Sequence, residues 1–296
     1  MTDCAVDFSV IIPAYNEAGS IGPVLERLAE HLDGLGQAYE ILVVVDGASD
    51  ATAAEVRAVN AAIRLIEHPY NMGNGAAVKT GIRNAWGEVL VFMDADGQHA
   101  PEDVERLLAD CQRYDMVVGA RGRGSQAGWH RGLANAIYNY LASYVTGRRI
   151  EDLTSGFRAM RREVARRFVG LLPNGYSYPT TITLCFMRAG FSVKYAPIEA
   201  AKRKGGKSQI RLVSDGTKFL LVIAKICMLF SPLKIFLPVS LYLLLMGIGY
   251  YGYTFITTHR FTNMSMLLFT TSVMVFMMGL IAEQIAQMRF ERTEDV

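Results

Sequence analysis

The segment VLVFMDADGQH (Val89–His99) begins with five apolar residues and ends in two carboxylates, Asp94 and Asp96, followed by polar residues. A continuous apolar run of this length is typical of a strand that is buried on both faces of a parallel sheet. Acidic residues directly after such a strand lie at the edge where open α/β sheets bind their ligands. Because residues two apart in an extended chain point the same way, we expect both carboxylates to face one ligand.

Similar apolar runs alternate with helical patterns through the first two thirds of the chain. This alternation predicts an α/β fold with a parallel sheet covered by helices on both faces. The predicted strands are FSVIIPAY (8–15), YEILVVVDG (39–47), IRLIEH (63–68), GEVLVFMDAD (87–96) and DMVVGAR (115–121). Helices are predicted over about 20–35, from a cap at Ser49 or Asp50, over 73–86, and over 101–112 with Pro101 in the first turn.

The composition gives a first indication of the partners. The chain has 296 residues, of which 51% are hydrophobic and 20% charged, and its net charge of +2 does not indicate nucleic acid binding. From Lys202 to the end there are 11 Lys/Arg and 5 Asp/Glu, a net of +6, which leaves 19 against 23, a net of −4, in the rest. A basic C-terminal third favours an anionic surface or substrate nearby.

The cysteines and the N-terminus indicate the compartment. The four cysteines are far apart and form no C-x-x-C pair, which is typical of buried thiols in a reducing compartment: Cys4, Cys111, Cys185 and Cys227. The N-terminal MTDCAVDFSV has neither a basic start nor a long apolar stretch, so we do not interpret it as a signal peptide. The catalytic or binding part is therefore expected in the cytoplasm.

Two long apolar stretches near the C-terminus predict membrane spans. Ile235–Thr258 has 24 residues without a charge, and Phe261–Ala282 gives 22 more after the short His259–Arg260 connection. Each stretch exceeds the ~20 residues that cross a bilayer as a helix. Eight Lys/Arg lie between Lys202 and Lys234, so both ends are expected on the cytoplasmic side of the plasma (inner) membrane. A hairpin buried in a large soluble core remains the alternative.

The segment before the spans predicts a helix in the membrane interface. TKFLLVIAKICMLFSPLK (217–234) is apolar, and its Lys218 and Lys225 are seven apart and therefore on one helical face. An amphipathic core helix remains the alternative. The predicted division of the chain is a cytoplasmic catalytic domain (1–212), an interfacial helix (213–233), a transmembrane hairpin (234–288) and a cytoplasmic tail (289–296).

The pair of carboxylates after the fourth strand indicates a metal site. Two converging carboxylates repel each other unless a positive charge lies between them. Oxygen ligands suit Mg²⁺ or Mn²⁺, and Mg²⁺ commonly binds one or two carboxylates together with substrate phosphates. Asp94 and Asp96 are the predicted ligands, and Gln98 can add a carbonyl oxygen. The alternative is that the pair only caps the following helix.

Six segments in this order resemble glycosyltransferase family 2, and closely its polyisoprenyl-phosphate glycosyltransferases. They are VIIPAYNEAGSI (10–21), VVVDGASDAT (43–52), NMGNGAAVKTGI (71–82), DADGQHAPED (94–103), VVGARGR (117–123) and DLTSGFRAMRR (152–162), with RKGGKS (203–208) ahead of the spans. The resemblance covers nearly the whole chain. It implies a Rossmann-like nucleotide-diphospho-sugar transferase domain of the GT-A type, followed by the interfacial helix and two transmembrane helices.

The resemblance also implies a role for individual residues. Those implied for the nucleotide sugar are Pro13, Tyr15, Glu17, Val44, Asp46, Asp94, Ala95, Asp96 and Arg203, with Asp46 accepting hydrogen bonds from the base. Those implied for the acceptor phosphate are Arg121, Arg131 and Ser208, and the metal ligands are Asp94, Asp96 and Gln98. Asp96, Arg121 and Asp152 are the implied catalytic residues. Alternatives remain for three of these: Glu17 as a helix cap, Arg121 in a core ion pair, and Asp152 as a loop cap.

Three departures from the family pattern concern the donor site. Val45 replaces the first of two aspartates, Gln209 replaces a lysine, and SYPTTITLCF (177–186) has threonines where many relatives place an acid. Lys207 or Arg211 could replace the missing cation. The spacing of His68, His99 and His130 fits no zinc pattern, and we interpret them as surface or polar-pocket residues. The glycines of NMGNGAA are interpreted as a tight turn before a helix rather than a phosphate cradle.

The implied reaction is the transfer of one sugar, with inversion, from a UDP- or GDP-linked donor to a polyprenyl phosphate at the bilayer. The donor sugar, the base, the polyprenol and homo-oligomerisation are left open. A processive polysaccharide synthase is the first rival, but the chain lacks its Q-x-x-R-W signature. A non-catalytic sensor of nucleotide sugars is the second rival, and Val45 and Gln209 are the features that favour it.

Overall fold

The computed structural model describes residues 6–121, 139–140, 142–144, 146–175, 177–198, 228 and 231–294. The chain divides into two compact units. The first comprises Met1–Tyr140 and Arg148–Arg211, and the second comprises Leu141–Gly147 and Leu212–Val296.

The first unit is built on a seven-stranded sheet in the order β3-β2-β1-β4-β6-β5-β7. The strands are β1 (Phe8–Ala14), β2 (Tyr39–Val45), β3 (Ile63–Glu67), β4 (Val89–Phe92), β5 (Met116–Arg121), β6 (Arg158–Arg161) and β7 (Val193–Ile198). All five predicted strands form, and they run in one direction. β6 is antiparallel to both of its neighbours, β4 and β5, so the prediction of a purely parallel sheet is wrong for this strand.

Helices cover both faces of the sheet, as the alternating pattern predicts. They are α1 (Ile21–Asp33), α2 (Thr52–Ala58), α3 (Asn74–Asn84), α4 (Glu102–Cys111), α5 (Arg162–Phe168) and α6 (Tyr178–Arg188), with a 3₁₀ turn at Val169–Leu171. Leu25 of α1 and Leu107 of α4 join Val91 in one hydrophobic core. On the other face, α3 packs so closely on β1 that a Cβ at Gly81 would lie 2.4 Å from a methyl group of Ile11.

The predicted fourth strand ends earlier than its sequence pattern indicates. β4 stops at Phe92, and the chain turns at Ala95 and Asp96 rather than continuing extended. Gly97 has a φ of +72°, which glycine adopts without strain. The Asp96 carboxylate accepts a hydrogen bond from the backbone N–H of Gln98 at 3.1 Å, so a side chain replaces the strand ladder here. The argument from extended-chain alternation therefore does not apply to the two carboxylates.

The second unit contains a hairpin of two long helices, α7 (Leu233–Thr258) and α8 (Asn263–Glu294). His259 ends α7 in the left-handed conformation with a φ of +50°. Gly247 and Gly279 lie at the helix contact, where close packing leaves little room for a side chain. Both helices are long and apolar enough to cross a membrane, and only 11% and 17% of their most apolar windows are buried within the described structure. Such low burial disfavours the alternative of a hairpin in a soluble core.

Candidate active site

Two of the sequence motifs meet at the carboxyl end of β4. β4 and β6 are paired so that Phe92 lies opposite Arg158, which brings the turn after β4 beside the segment that precedes β6. The ring of His99 stacks on the ring of Phe157, with centroids 4.5 Å apart and planes 11° from parallel. The sheet and one aromatic pair therefore hold DADGQH and DLTSGFR together.

Asp94 is a partly exposed carboxylate where these two motifs meet. Its side chain is 41% exposed, and among the described residues no donor makes a hydrogen bond to it. Its Oδ2 lies 3.9 Å from His99 Nε2. On another side it faces Gly156, where a Cβ would lie only 3.1 Å from Oδ2. A half-buried carboxylate with unused lone pairs is suited to bind a cation.

The described residues fit a site in which the protein supplies only some of the ligands of a divalent ion. Substrate oxygens would supply the remaining ligands. Among the described residues, no three His, Cys, Asp or Glu side chains are placed to hold a metal. Asp94 and Asp96 are both partly exposed in the same short turn, and Gln98 follows them there. One or two carboxylates with waters and phosphates is the arrangement that Mg²⁺ commonly adopts.

Asp152 is buried at the other side of the cluster and is only 5% exposed. Its Oδ1 accepts hydrogen bonds from the backbone N–H groups of Thr154 at 3.0 Å and Ser155 at 3.1 Å. This arrangement gives Asp152 the loop-capping role that the sequence left as an alternative. The capped turn carries Gly156 and therefore sets the wall that faces Asp94.

Asp46 lies at the end of β2 and is 2% exposed. Its oxygens accept hydrogen bonds from the backbone N–H groups of Met72 at 2.9 Å and Gly73 at 2.7 Å. His68 Nδ1 is 2.7 Å from the same carboxylate and donates to it, because an ionised carboxylate can only accept, and His68 Nε2 lies 2.8 Å from the Thr80 hydroxyl. Asp46 thus fixes the loop before α3, and the implied contact with a base stays a prediction.

The remaining described residues implied for the nucleotide lie at the same edge of the sheet but differ in solvent exposure. Pro13, Tyr15 and Glu17 are partly exposed. Glu17 is linked to the second strand–helix connection, since its backbone N–H donates to Thr52 Oγ1 at 2.9 Å. Val44 is fully buried, so its side chain belongs to the core, and the implied base contact would need its backbone.

The glycines before α3 permit a close approach of two backbone segments. A Cβ at Gly73 would lie 2.4 Å from the carbonyl oxygen of Asn174, and one at Gly75 would lie 2.1 Å from that of Pro173. Ala76 also donates its backbone N–H to the Asn174 carbonyl at 3.1 Å. These contacts support the interpretation that the glycines serve packing before the helix.

Comparison with known proteins identifies the family. Residues 9–168 match the family model "Glycosyl transferase family 2", which is more than half of the chain. This protein belongs to glycosyl transferase family 2. Residues 231–288, which include α7 and most of α8, match a second family model, "GtrB C-terminal hairpin".

Individual relatives of this family 2 member agree with that assignment. The undecaprenyl-phosphate 4-deoxy-4-formamido-L-arabinose transferase of Proteus mirabilis strain HI4320 is 35% identical over 161 residues. The match covers 53% of this chain and 49% of that relative, so the chain aligns with about half the length of the curated relative.

Solved structures show the same fold. Glucosyl-3-phosphoglycerate synthase from Mycobacterium tuberculosis in complex with Mn²⁺, UDP and phosphoglyceric acid has a TM-score of 0.60 at 22% identity, covering 75% of this chain and 78% of that one. Its complex with Mn²⁺ and UDP-glucose has a TM-score of 0.60 at 21% identity, covering 75% and 78%. At these identities the likeness establishes the fold alone.

Several residues implied by the family 2 resemblance lie outside the described residues. They are Arg131, Arg203 and Ser208, together with His130, Lys207, Gln209 and Arg211. Arg121 is the last residue of β5, and only its backbone is described. The predicted interfacial helix over 213–233 also falls almost entirely outside the described residues.

The sequence did not reveal three residues that organise the candidate site. His99 and Phe157 form the stack that joins the two motifs. Arg158 is fully buried directly after Phe157. A signal was present in the sequence, because an arginine between Phe157 and the apolar Ala159–Met160 pair interrupts a strand-like run.

Proposed function

We propose that this protein is a membrane-bound inverting glycosyltransferase that moves one sugar from a nucleotide-diphosphate donor to a polyprenyl phosphate. The observation that carries the proposal is the open Asp94 carboxylate at the carboxyl end of a central strand, held against the turn that contains Asp152. Family membership supports the reaction class. The name of the Proteus mirabilis relative, an undecaprenyl-phosphate sugar transferase, supports the acceptor class.

At the donor end, Asp94 and Asp96 would hold Mg²⁺ or Mn²⁺, with Gln98 as a further oxygen ligand. A bound divalent ion supplies Lewis-acid stabilisation of the leaving diphosphate. The mycobacterial synthase structures with Mn²⁺ and UDP or UDP-glucose support this chemistry in a protein of the same fold. Ala95 turns its small side chain into the core and is 3% exposed, whereas Asp94 and Asp96 on either side of it are partly exposed.

The nucleotide would lie along the edge formed by β1 and β2. Pro13, Tyr15 and Glu17 are partly exposed there, and the backbone of Val44 and the loop fixed by Asp46 border the same edge. Arg203 is proposed to close over the nucleotide. Whether the base is uracil or guanine depends on contacts that these residues leave open.

At the acceptor end, Arg121, Arg131 and Ser208 would bind the polyprenyl phosphate. The two arginines suit this role because a guanidinium group forms bidentate hydrogen bonds with two phosphate oxygens. A phosphate is already anionic at neutral pH, so its attack on the sugar needs no strong base. Asp152 is accordingly assigned an orienting role, in keeping with its buried position and its hydrogen bonds to the turn. In-line attack from the face opposite the leaving diphosphate inverts the anomeric centre.

The α7–α8 hairpin supports an acceptor that is anchored in the membrane. A polyprenyl tail stays in the bilayer because exposing each CH₂ to water costs about 0.8 kcal/mol. An enzyme that acts on its phosphate must therefore work at the membrane surface. We propose that the hairpin crosses the plasma membrane and that the catalytic unit faces the cytoplasm.

The test is transfer of a radiolabelled sugar by the membrane-bound protein, with a panel of UDP- and GDP-sugars and undecaprenyl phosphate. Asp96→Asn is compared with Asp33→Asn, which changes an exposed carboxylate on α1. We expect a labelled glycolipid from the wild type and from Asp33→Asn. Asp96→Asn should lose at least about a hundredfold in rate, because the Lewis acid contributes several kcal/mol. Donor binding without any labelled lipid would instead establish the sensor, and full activity of Asp96→Asn with saturating metal would refute the metal role.

A further inference from the structure

Arg158 is an arginine with no exposed surface, on the first position of β6. Among the described residues no carboxylate lies within ion-pair distance of it. A buried guanidinium that lacks a directly paired anion is rare, because its charge has been removed from water without a close counter-charge. The hydrogen bonds that hold the Arg158 guanidinium in place therefore indicate its role.

The guanidinium makes its hydrogen bonds in three directions, all to neutral oxygens. Nη1 donates to the Pro179 carbonyl at 2.8 Å and to Thr183 Oγ1 at 2.8 Å, both in α6. Nη2 donates to the carbonyl of Ser155. Nε is buried and has no hydrogen-bond partner within the described ranges. Arg158 therefore ties the start of α6 to the turn that precedes β6.

That turn carries the groups that shape the proposed metal site. Its Thr154 and Ser155 N–H groups donate to Asp152, and Gly156 forms the wall beside the Asp94 carboxylate. Because Arg158 Nη2 binds the carbonyl of Ser155, a shift of the guanidinium would move Gly156, the very next residue. The distance from Gly156 to Asp94 leaves little room for such a shift.

The groups that act electrostatically on Arg158 also connect it to the proposed metal site. Burial lowers the pKa of Arg158, while the Tyr178 and Tyr195 hydroxyl groups and the Asp152 and Asp94 carboxylates act in the opposite direction. Arginine remains charged in proteins even when buried. The two carboxylates are thus the formal charges that balance the guanidinium, although neither forms a direct ion pair with it.

We propose that Arg158 is a positioning residue: its planar, three-way hydrogen-bonded guanidinium fixes the 152–157 turn so that Gly156 and Asp152 hold Asp94 in the orientation that binds the divalent ion. The role depends on the fork geometry as well as on the charge, because a lysine ammonium cannot reach three acceptors in one plane. The inference rests on the proposed function for its catalytic consequence, but its effect on ion binding does not require sugar transfer.

The experiment compares Arg158→Lys with Arg161→Lys, a matched change on the same strand, where the side chain is 51% exposed and lies 3.6 Å from Asp115. Mn²⁺ affinity is measured by electron paramagnetic resonance on the full-length protein without donor, at a temperature where thermal melting shows each variant folded. We expect Arg158→Lys to bind Mn²⁺ about tenfold more weakly and to lower kcat more than it changes KM for the donor. Arg161→Lys should match the wild type in both.

Unchanged Mn²⁺ affinity and kcat in folded Arg158→Lys would overturn the proposal, whatever happens to the melting temperature. If that variant does not fold, Thr183→Val and Thr183→Ser decide instead. Loss of the hydroxyl in Thr183→Val should weaken Mn²⁺ binding several-fold, and Thr183→Ser should restore it. Equal affinity in both would also overturn the proposal. A wild type that binds Mn²⁺ but transfers no sugar would refute the proposed function and not the role of Arg158.

Discussion

The substitution Gly156→Ala tests the proposed metal site with a change that should leave the stability of the fold nearly unaltered. The new Cβ would lie 3.1 Å from Asp94 Oδ2 and 3.3 Å from Oδ1, so the carboxylate must move by a few tenths of an ångström. Gly156 does not have a positive φ, and alanine therefore introduces no backbone strain. The substitution should stabilise the chain by about 0.4–1 kcal/mol through its unfolded state, offset in part by the tight contact.

The displaced ligand should nevertheless weaken ion binding. A change next to a metal ligand typically costs 10–100-fold in affinity or activity, and for a shift this small we expect about tenfold, or about 1.4 kcal/mol. Mn²⁺ binding is measured by isothermal titration calorimetry, and unfolding is followed by thermal melting. We expect weaker Mn²⁺ binding and slower transfer, with a melting temperature close to that of the wild type.

Gly170→Ala is the matched control, because a Cβ there meets no heavy atom within 4 Å and the residue also lacks a positive φ. It should leave Mn²⁺ binding unchanged. Wild-type Mn²⁺ affinity in Gly156→Ala would refute the assignment of Asp94 as a ligand, and an equal loss in Gly170→Ala would mean that the effect is not local.

Three further predictions concern the fold around the site. In Asp46→Asn, one of the two carboxylate oxygens becomes an amide N–H₂, which cannot accept a hydrogen bond from the backbone N–H of Met72 or Gly73. We expect the free energy of unfolding to fall by about 2 kcal/mol, measured by thermal melting. Gly75→Ala should destabilise by at least about 3 kcal/mol, since its Cβ would lie 2.1 Å from the Pro173 carbonyl oxygen and only backbone movement can relieve this. Burial raises the pKa of Cys111 to about 12 from 9.0, and burial likewise raises the pKa of Cys185. The neutral Cys111 thiol therefore contributes stability that is fully present below pH 9 and is lost as pH rises toward 12, with a loss of about 1.4 kcal/mol at pH 10, and Cys185 should act in the same direction.

Each of these predictions has an outcome that contradicts it. A melting temperature of Asp46→Asn equal to that of the wild type would mean that the carboxylate does not fix the loop. Gly170→Ala serves again as the control for Gly75→Ala, and equal stability of the two would contradict the close backbone approach. For the thiols, replacing Cys111 with Ala should flatten the loss of stability above pH 9, and an unchanged slope would refute the linkage.

The sequence predicted the parts of the fold that depend on local pattern. β1 to β4 are short runs of apolar residues between helical patterns, and their parallel direction follows from that alternation. β6 escaped prediction because its sequence, RAMR, has an arginine at each end, and the interruption of the apolar run by Arg158 does not by itself show that this arginine is buried. β7 contains Lys194 and Pro197 and is only partly buried, as an edge strand can be.

The candidate site was predictable in its location but not in its contacts. The sequence predicted that Asp94 and Asp96 follow a buried strand, and they lie in the turn after β4, but their role as metal ligands stays a prediction. The bend after Phe92 was not predicted, because the Asp96 side chain replaces a backbone hydrogen bond. The enclosure of Asp46 was also hidden, since a carboxylate at a strand end looks the same in sequence whether it meets a ligand or a neighbouring loop.

The most direct test of the central claim is the position of Mn²⁺ in crystals of the protein grown with a nucleoside diphosphate, located by anomalous diffraction. We predict an anomalous peak within coordination distance of the carboxylates of Asp94 and Asp96, bridged to the diphosphate. A fully occupied ion bound elsewhere, with both carboxylates facing solvent, would contradict the account.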